Sequence, residues 1–371
     1  MQSRLVFALL VLTVALSPAL LSAEEPVTAD DGNLTITTAD DEFGLQFTGR
    51  FQLQALYLNN RDGQPSHRSD LFLRRVQPNL EGHILDRRLT YRLRFDVSRQ
   101  ATLRDAFVDY RLRGSQLRIR AGQFNIPFDW ERDVAPPRFT NIERSQANTL
   151  MGWPTGRDVG VMVHGRPNDY LDYATGIFNG QGVNQRRNNS AGFTSSSRLR
   201  LHPTGEAVRH ETLLEPADTP RLSLSIGHYS AFNSGARSDW TPFLEDQSSE
   251  ADLVAATTDL QIQWSRLSGS VSAYFRQVRP DDQDSYDGHA LNAHLGALAV
   301  DNRLFVGGRF GQVRPIDLDG QPTIYEARAN LHLFHRGHDS KLILEGGADS
   351  LRDDDLSQNT YRATIQYQLL Y

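Results

Sequence analysis

The chain has 371 residues, of which 23% are charged, with a net charge of −6 and no cysteine. The negative net charge argues against a nucleic-acid-binding protein, because such proteins carry a basic face. The lack of cysteine excludes a scaffold held together by disulfides.

A signal peptide is predicted at the N-terminus. Arg4 precedes an apolar run at residues 6–16, and a cleavage site with small residues ends at Ala23. Because the run is short for a membrane span and Pro18 interrupts it, we predict that residues 1–23 are removed. No later apolar run approaches the length of a membrane-spanning helix. A secreted chain without disulfides needs another source of stability, and a closed hydrogen-bonded barrel provides one.

The mature chain is predicted to begin with a short lead-in followed by one barrel domain. Residues 24–43 are acidic and polar and predict a mostly extended periplasmic segment. From residue 44 to residue 371 the pattern changes to alternation with period two. In the first strand, 45–57, apolar side chains such as Phe47 and Phe51 occupy every second position, which indicates one apolar and one polar face.

Alternating segments continue to the last residue. After 45–57 they are predicted at 73–85, 88–98, 103–112, 116–124, 159–164, 171–178, 197–202, 222–229, 253–264, 271–278, 291–300, 304–313, 325–334, 341–349 and 361–371. In the last one, Tyr361 and Tyr371 bracket the apolar face, as is typical of a strand that crosses lipid between two headgroup layers. One such segment is weak evidence, but a series is strong. The fold class predicted is all-β, a transmembrane antiparallel barrel of about sixteen strands.

The predicted connections mostly alternate between short and long, as do the periplasmic turns and outer loops of outer-membrane barrels. The long ones are 58–70, 125–157, 179–195 and 231–251. Two connections break this rule. Residues 98–102 are short where an outer loop is due, and residues 203–220 are long where a turn is due.

Five short motifs, in their order along the chain, carry a resemblance to a known family. They are Arg74-Arg75 leading to Glu81-Gly82, Gly122-Gln123-Phe124-Asn125-Ile126-Pro127-Phe128, Ile142-Glu143-Arg144-Ser145, Gly156-Arg157-Asp158-Val159-Gly160-Val161 and Gly176-Ile177-Phe178-Asn179-Gly180. The ordered set resembles the phosphate-selective porin O and P family. The resemblance implies a homotrimeric outer-membrane porin of sixteen strands from a Gram-negative bacterium, with an inward-folded loop and arginines that guide anions. Phosphate selectivity in that family is also associated with entrance lysines, and Lys341 is the only lysine here.

Residues 125–157 form the third outer loop in this strand order. A loop of that length is expected to be functional or disordered. Its aromatic residues, among them Trp130, Phe139 and Trp153, favour packing, since they would otherwise expose apolar area without a partner. We therefore predict that the third loop folds into the lumen.

All but one of the 39 basic residues are arginine, which either a GC-rich genome or a function in the lumen would explain. The lumen-facing arginines on the first five strands are Arg50, Arg75, Arg92, Arg94, Arg118 and Arg120. The third loop adds Arg132, Arg138 and Arg144, which either face the pore or pair locally with Glu131, Asp133 and Glu143. These nine arginines are the predicted pore-lining, anion-guiding residues. Asp96, Asp105 and Asp109 share the same strands and would neutralise part of the patch.

The predicted function is an outer-membrane porin with mild anion preference, with no enzymatic activity, cofactor or metal. The expected partners are small anionic or neutral solutes, outer-membrane lipid and two further copies of the chain, and no nucleic acid. No G-x-S-x-G motif occurs. The histidines at 332, 335 and 338 do not share one face, so they do not predict a metal site. The alternative is a structural or adhesin-type barrel without an open channel.

Overall fold

The computed structural model describes residues 27–30, 33–61, 66–153, 156–185, 192–235, 250–280, 284–316, 322–353 and 357–371. The predicted signal peptide lies outside these residues. Within the described ranges no helix is long and apolar enough to cross a membrane.

Sixteen antiparallel strands form the barrel, and each pairs with the next along the chain. A hairpin precedes them, β1 (Val27–Asp30) and β2 (Asn33–Thr37). The barrel strands are β3 (Phe43–Asn60), β4 (Ser66–Ile84), β5 (Asp86–Asp96), β6 (Thr102–Arg113), β7 (Leu117–Asn125), β8 (Arg157–Asn168), β9 (Leu171–Phe178), β10 (Thr194–Leu201), β11 (Ala217–Gly235), β12 (Glu250–Ser265), β13 (Leu267–Pro280), β14 (Tyr286–Val300), β15 (Leu304–Ile316), β16 (Thr323–Arg336), β17 (Ser340–Arg352) and β18 (Ser357–Leu370). Every predicted alternating segment overlaps one of these strands, and the predicted fold class is confirmed.

The barrel closes where the last strand meets the first. β18 pairs with β3 from Thr360 opposite Asn60 to Leu370 opposite Arg50. At the C-terminal end of this seam, the Tyr371 amide donates to the Gly49 carbonyl at 3.1 Å. Closure pairs the two strands that would otherwise be the edges of the sheet, as a barrel in lipid requires.

The segment predicted as a lead-in extends the sheet from residue 27 onward. β2 pairs with the start of β3, from Leu34 opposite Phe47 to Thr37 opposite Gly44, in the stretch that β18 does not reach. The segment is therefore a hairpin attached to the barrel. Its periplasmic position stays a prediction.

The apolar side chains are divided between the outer face and the lumen. Ile177 and Leu295 point outward and are 60% and 66% exposed, as expected of side chains that contact lipid. In contrast, Phe128, Trp130 and Trp153 of the third loop are each only 1% exposed. The core of this protein therefore lies inside the barrel.

The two ends of the barrel differ in the length of their connections. At the end that we call the turn end, the described connections consist of residue 85, 114–116, 169–170, 266, 301–303 and 337–339, with one exception at 202–216. At the opposite end, the loop end, the third loop spans 126–156. The long connection predicted at 203–220, where a short turn is due, is therefore present as residues 202–216.

Candidate functional site in the barrel lumen

The third loop contains two short helices with side-chain caps. They are α1 (Trp130–Asp133) and α2 (Gln146–Met151), with a single 3-10 turn at Pro136–Arg138 between them. The Asp129 carboxylate accepts from the Arg132 amide at 2.7 Å, and the Ser145 hydroxyl accepts from the Asn148 amide at 2.9 Å. Such caps satisfy backbone donors that a short helix leaves free. The loop is inward-folded, as predicted.

Charged side chains of β15 to β17 hold the third loop against these strands on one side of the lumen. Glu345 accepts from the Ile142 amide at 3.0 Å, and Glu326 accepts from the Gln146 amide at 2.9 Å. Arg309 donates through Nη1 to the Glu143 carbonyl at 2.7 Å. Hydrogen bonds to ionised groups are stronger than neutral ones, so these contacts fix the path of the loop.

Close packing holds the same loop against β11 and β15. The Phe128 ring lies 4.8 Å from the Tyr229 ring, in an edge-on arrangement that aromatic pairs favour. Two glycines of the wall make this approach possible. A methyl group at Gly227 would overlap the Phe128 carbonyl oxygen, and one at Gly307 would lie 2.6 Å from the Thr140 methyl.

On the opposite side, Glu143 connects the loop to β4. Its carboxylate contacts Arg74 Nη2 at 2.7 Å and Arg75 Nη2 at 3.3 Å. Burial alone would raise the pKa of Glu143, but Arg75 and Arg74 outweigh it and hold the pKa at about 2. The contact therefore remains ionised at any pH at which the protein is expected to work.

We expect Glu143→Gln to strengthen anion preference, because Arg74 and Arg75 lose the carboxylate that faces them. The reversal potential of single channels in a salt gradient measures the change, with Glu42→Gln at an exposed position as the control. With a pKa near 2, Glu143 stays charged from about pH 8 to pH 4, so the difference between variant and wild type should be constant over that range. A cation-directed shift would contradict the prediction.

A cavity of about 630 Å³ lies between the third loop and the wall formed by β3 to β8. Ten arginines line it: Arg50, Arg74, Arg75, Arg92, Arg94, Arg104, Arg120, Arg132, Arg144 and Arg157. Three aspartates line it as well: Asp96, Asp105 and Asp133. Seven of the nine arginines named from the sequence are in this lining.

A second cavity of about 430 Å³ continues toward the turn end along β7 to β10. It shares Arg92, Arg120 and Arg132 with the first cavity and adds Arg118, the eighth of the predicted arginines. The two cavities therefore adjoin, and arginines line both. Together they run along one side of the lumen.

The sequence prediction missed three arginines that line the larger cavity, Arg74, Arg104 and Arg157, and it missed the first two because of β-bulges. Gln52 faces Arg75 but the next pair is Leu53 with Leu73, so Arg74 is an extra residue in β4. Arg104 is likewise extra in β6. A bulge shifts the alternation by one position. Arg74 and Arg75 therefore line the same cavity although they are adjacent in the chain, which strict alternation forbids.

The arginines of β3 to β8 that line the two cavities, which we call the arginine wall, are partly paired with carboxylates. The Arg92 Nε atom lies 2.7 Å from Glu81, and Arg94 lies 3.3 Å from Asp105. The Asp109 carboxylate accepts from two guanidinium groups, those of Arg118 at 2.6 Å and Arg120 at 2.7 Å. Neutralisation by Asp105 and Asp109 is thus present, as the alternation suggested.

Four lining arginines have no such partner. Among the described residues, no carboxylate forms an ion pair with Arg50, Arg104, Arg132 or Arg144. The charges that act most strongly on Arg50 are those of other arginines, Arg94 and Arg75. These four residues are the unpaired arginines of the site.

Within the described part of the third loop, no carboxylate forms an ion pair with an arginine of the loop, and Arg144 reaches only the backbone carbonyl of Glu131, at 3.1 Å. Glu143 binds Arg74 and Arg75, as described above. Asp133 binds Arg198 at 2.8 Å. Of the two alternatives for the loop arginines, local pairing is not found among the described residues, because arginines of the barrel strands pair with Glu143 and Asp133 instead.

Arg138, the ninth predicted arginine, lies apart from the others. It is exposed, lines neither cavity and is attracted by Asp339 in a connection at the turn end. Position in the loop sequence did not reveal this, because the 3-10 turn at Pro136–Arg138 directs the chain toward that end. The anion-guiding role of all nine arginines stays a prediction.

A closed barrel of sixteen strands with an apolar outer face, charged lumen and inward-folded loop defines an outer-membrane porin of the Gram-negative type. Residues 45–213 match the family model of phosphate-selective porin O and P, so the resemblance recognised from the motifs is confirmed over that part of the chain. No curated protein matches the chain in sequence.

Solved structures show the same fold at low sequence identity. The anion-selective porin from Comamonas acidovorans is 10% identical, with a TM-score of 0.62 over 88% of this chain and 100% of that one. The outer membrane channel DcaP of Acinetobacter baumannii is 10% identical, with a TM-score of 0.60, and the match covers 91% of this chain and 99% of that one. The trimer form of OmpT, an outer membrane protein from Vibrio cholerae, is 10% identical, with a TM-score of 0.58, and the match covers 88% of this chain and 100% of that one.

Proposed function

We propose that this protein is a passive diffusion channel that prefers small anions and catalyses no reaction. One observation carries the proposal, the excess of arginine in the larger cavity. Ten arginines line it against three aspartates. When Glu81, Asp109 and Glu143, which pair with lining arginines, are also counted, the arginines still exceed the carboxylates by four. Clustered charge of one sign in a narrow passage raises the local concentration of counter-ions.

The chemistry of the lining favours oxyanions and carboxylates in general over phosphate in particular. A guanidinium group presents a planar fork that fits any such group. Lys341 does not contribute to the lining, since it is fully buried and its Nζ donates to His332 at 3.2 Å. The structural likeness to an anion-selective porin agrees with this preference. Small neutral solutes are expected to pass as well.

The test of the proposed function is conductance. Purified, folded protein in planar lipid bilayers should give stable stepwise currents. The competing view is a structural or adhesin-type barrel, and it predicts a correctly folded protein that remains silent. The cavities that adjoin along the arginine wall support the open channel.

We also propose a homotrimer. Support comes from the trimeric form of the OmpT structure that shares this fold. Native mass determination in detergent should give three copies of the chain, and a folded protein that is monomeric at all concentrations would contradict this assembly.

A further inference from the structure

The connection between β10 and β11, residues 202–216, differs from its counterparts at the turn end. It has fifteen residues, whereas the other described turn-end connections have one to three. Several of its side chains are buried, among them Val208 at 2% exposure and Glu211 at 7%. A connection at a water-facing end would ordinarily be exposed. This one therefore occupies the interior of the barrel.

Contacts with β12, β13 and neighbouring strands hold the connection on the same side of the lumen as the third loop. Gln263 of β12 donates through Nε2 to the His210 carbonyl at 2.7 Å. Ser268 of β13 donates through its hydroxyl to the Glu211 carbonyl. Leu213 packs in an apolar cluster with Phe305 and others of β14 to β16. The connection thus forms a floor that extends from β10, where its Arg209 lines the second cavity, to strands β12 to β16 across the lumen.

The floor also binds the third loop directly. The Glu211 carboxylate accepts from the Thr140 amide at 2.8 Å, and the Glu211 amide donates to the Arg138 carbonyl at 3.1 Å. Val208 joins Trp130 of the loop in one apolar cluster. Two segments that enter from opposite ends of the barrel therefore meet inside it.

We propose that residues 202–216 are a second constriction element and that Glu211 is the positioning residue that holds the third loop in place. Together the floor and the loop fill the side of the lumen near β11 to β17 and confine solutes to the arginine wall. The inference rests on the proposed function as a channel. It assigns to a turn-end connection part of the selectivity that the loop and the wall otherwise determine alone.

The physical reason lies in the geometry of the Glu211 contact. Its carboxylate is a strong acceptor for a buried backbone donor, and its removal leaves the Thr140 amide without that partner. The loop segment between α1 and α2 would then be held at fewer points. A loop free to move away from the wall widens the passage and increases the distance between solutes and arginines.

The experiment compares Glu211→Ala and Glu211→Gln with a control, Glu215→Gln. Glu215 belongs to the same connection, but its contact is with the Asn302 side chain, at 3.1 Å, in another turn. We expect Glu211→Ala to raise single-channel conductance, add open-channel noise and move the reversal potential toward zero. Glu211→Gln keeps the size of the side chain and should shift all three in the same direction by less. The control should match the wild type.

Hydrogen exchange at the Thr140 amide gives an independent readout, since protection there should fall in Glu211→Ala but persist in the control. If Glu211→Ala yields little folded barrel, the Glu211→Gln variant decides. A conducting wild type whose Glu211 variants show unchanged currents and unchanged protection would overturn this inference alone. A silent wild type would overturn the channel itself, and the inference with it.

Discussion

Deletion of residues 132–141 from the third loop is expected to raise single-channel conductance severalfold. This stretch includes Val134 and Phe139, which are 3% and 2% exposed and fill space inside the barrel. A barrel of sixteen strands encloses a water-filled channel when nothing fills it. Removing packed side chains from that space therefore widens the path for ions, and anion preference should fall because Arg132 is lost from the lining.

The barrel itself should survive this deletion. None of the sixteen strands is cut, and the seam between β18 and β3 does not involve the loop. Retained β-sheet content, measured by circular dichroism, serves as the control for folding. A folded variant with the conductance of the wild type would mean that the deleted stretch does not limit the passage of ions.

The second large effect is expected when Arg50, Arg104, Arg132 and Arg144 are all replaced by glutamine. The reversal potential in a salt gradient should move from anion preference to no preference or to weak cation preference. We expect this size of effect because the four charges equal the excess of arginines over carboxylates in and around the cavity. Since none of the four forms an ion pair among the described residues, their replacement breaks no ion pair of the wall.

A matched control makes that result specific to the site. Arg61, Arg87, Arg88 and Arg352 are exposed and line neither cavity, and their replacement by glutamine changes the net charge by the same amount. Exposed charges are largely screened by salt, so we expect little change in selectivity. An equal shift in both quadruple variants would attribute selectivity to the total charge of the protein, against the proposed site.

Replacement of paired arginines would be a weaker test. Arg118 and Arg120 both contact Asp109, which is 1% exposed. Glutamine at these positions would leave a buried carboxylate without its counter-charge, so a change in current would mix selectivity with damage to the wall.

Alternation of side chains was enough to predict the strands and most of the arginine wall. It succeeds in a barrel because lipid on one side and water on the other impose the same period on every strand. It fails locally at Arg74 and Arg104, where an extra residue in the strand reverses the pattern. Pairing registers reveal such bulges, whereas the sequence of one strand does not.

The third loop shows a different limit. Its aromatic content predicted that it folds inward, since those side chains need partners. The partners themselves, such as Arg74 for Glu143 and Glu345 for Asn141, are 69 and 204 residues away in the chain. No periodicity encodes contacts at such separations. The unusual length of the connection at 203–220 could be predicted from the spacing of the strands. Its contact with the third loop could not, because that contact also joins residues far apart in the chain.

The most direct test of the arginine wall is the reversal potential of the wild-type channel across a potassium chloride gradient. Potassium and chloride have nearly equal mobilities, so the sign of the potential reports the charge of the lining. With an arginine excess along the path, we predict a potential whose sign shows that chloride permeates more readily. A wild type that prefers potassium would mean that the arginines are neutralised within the wall, and it would contradict the proposed anion channel.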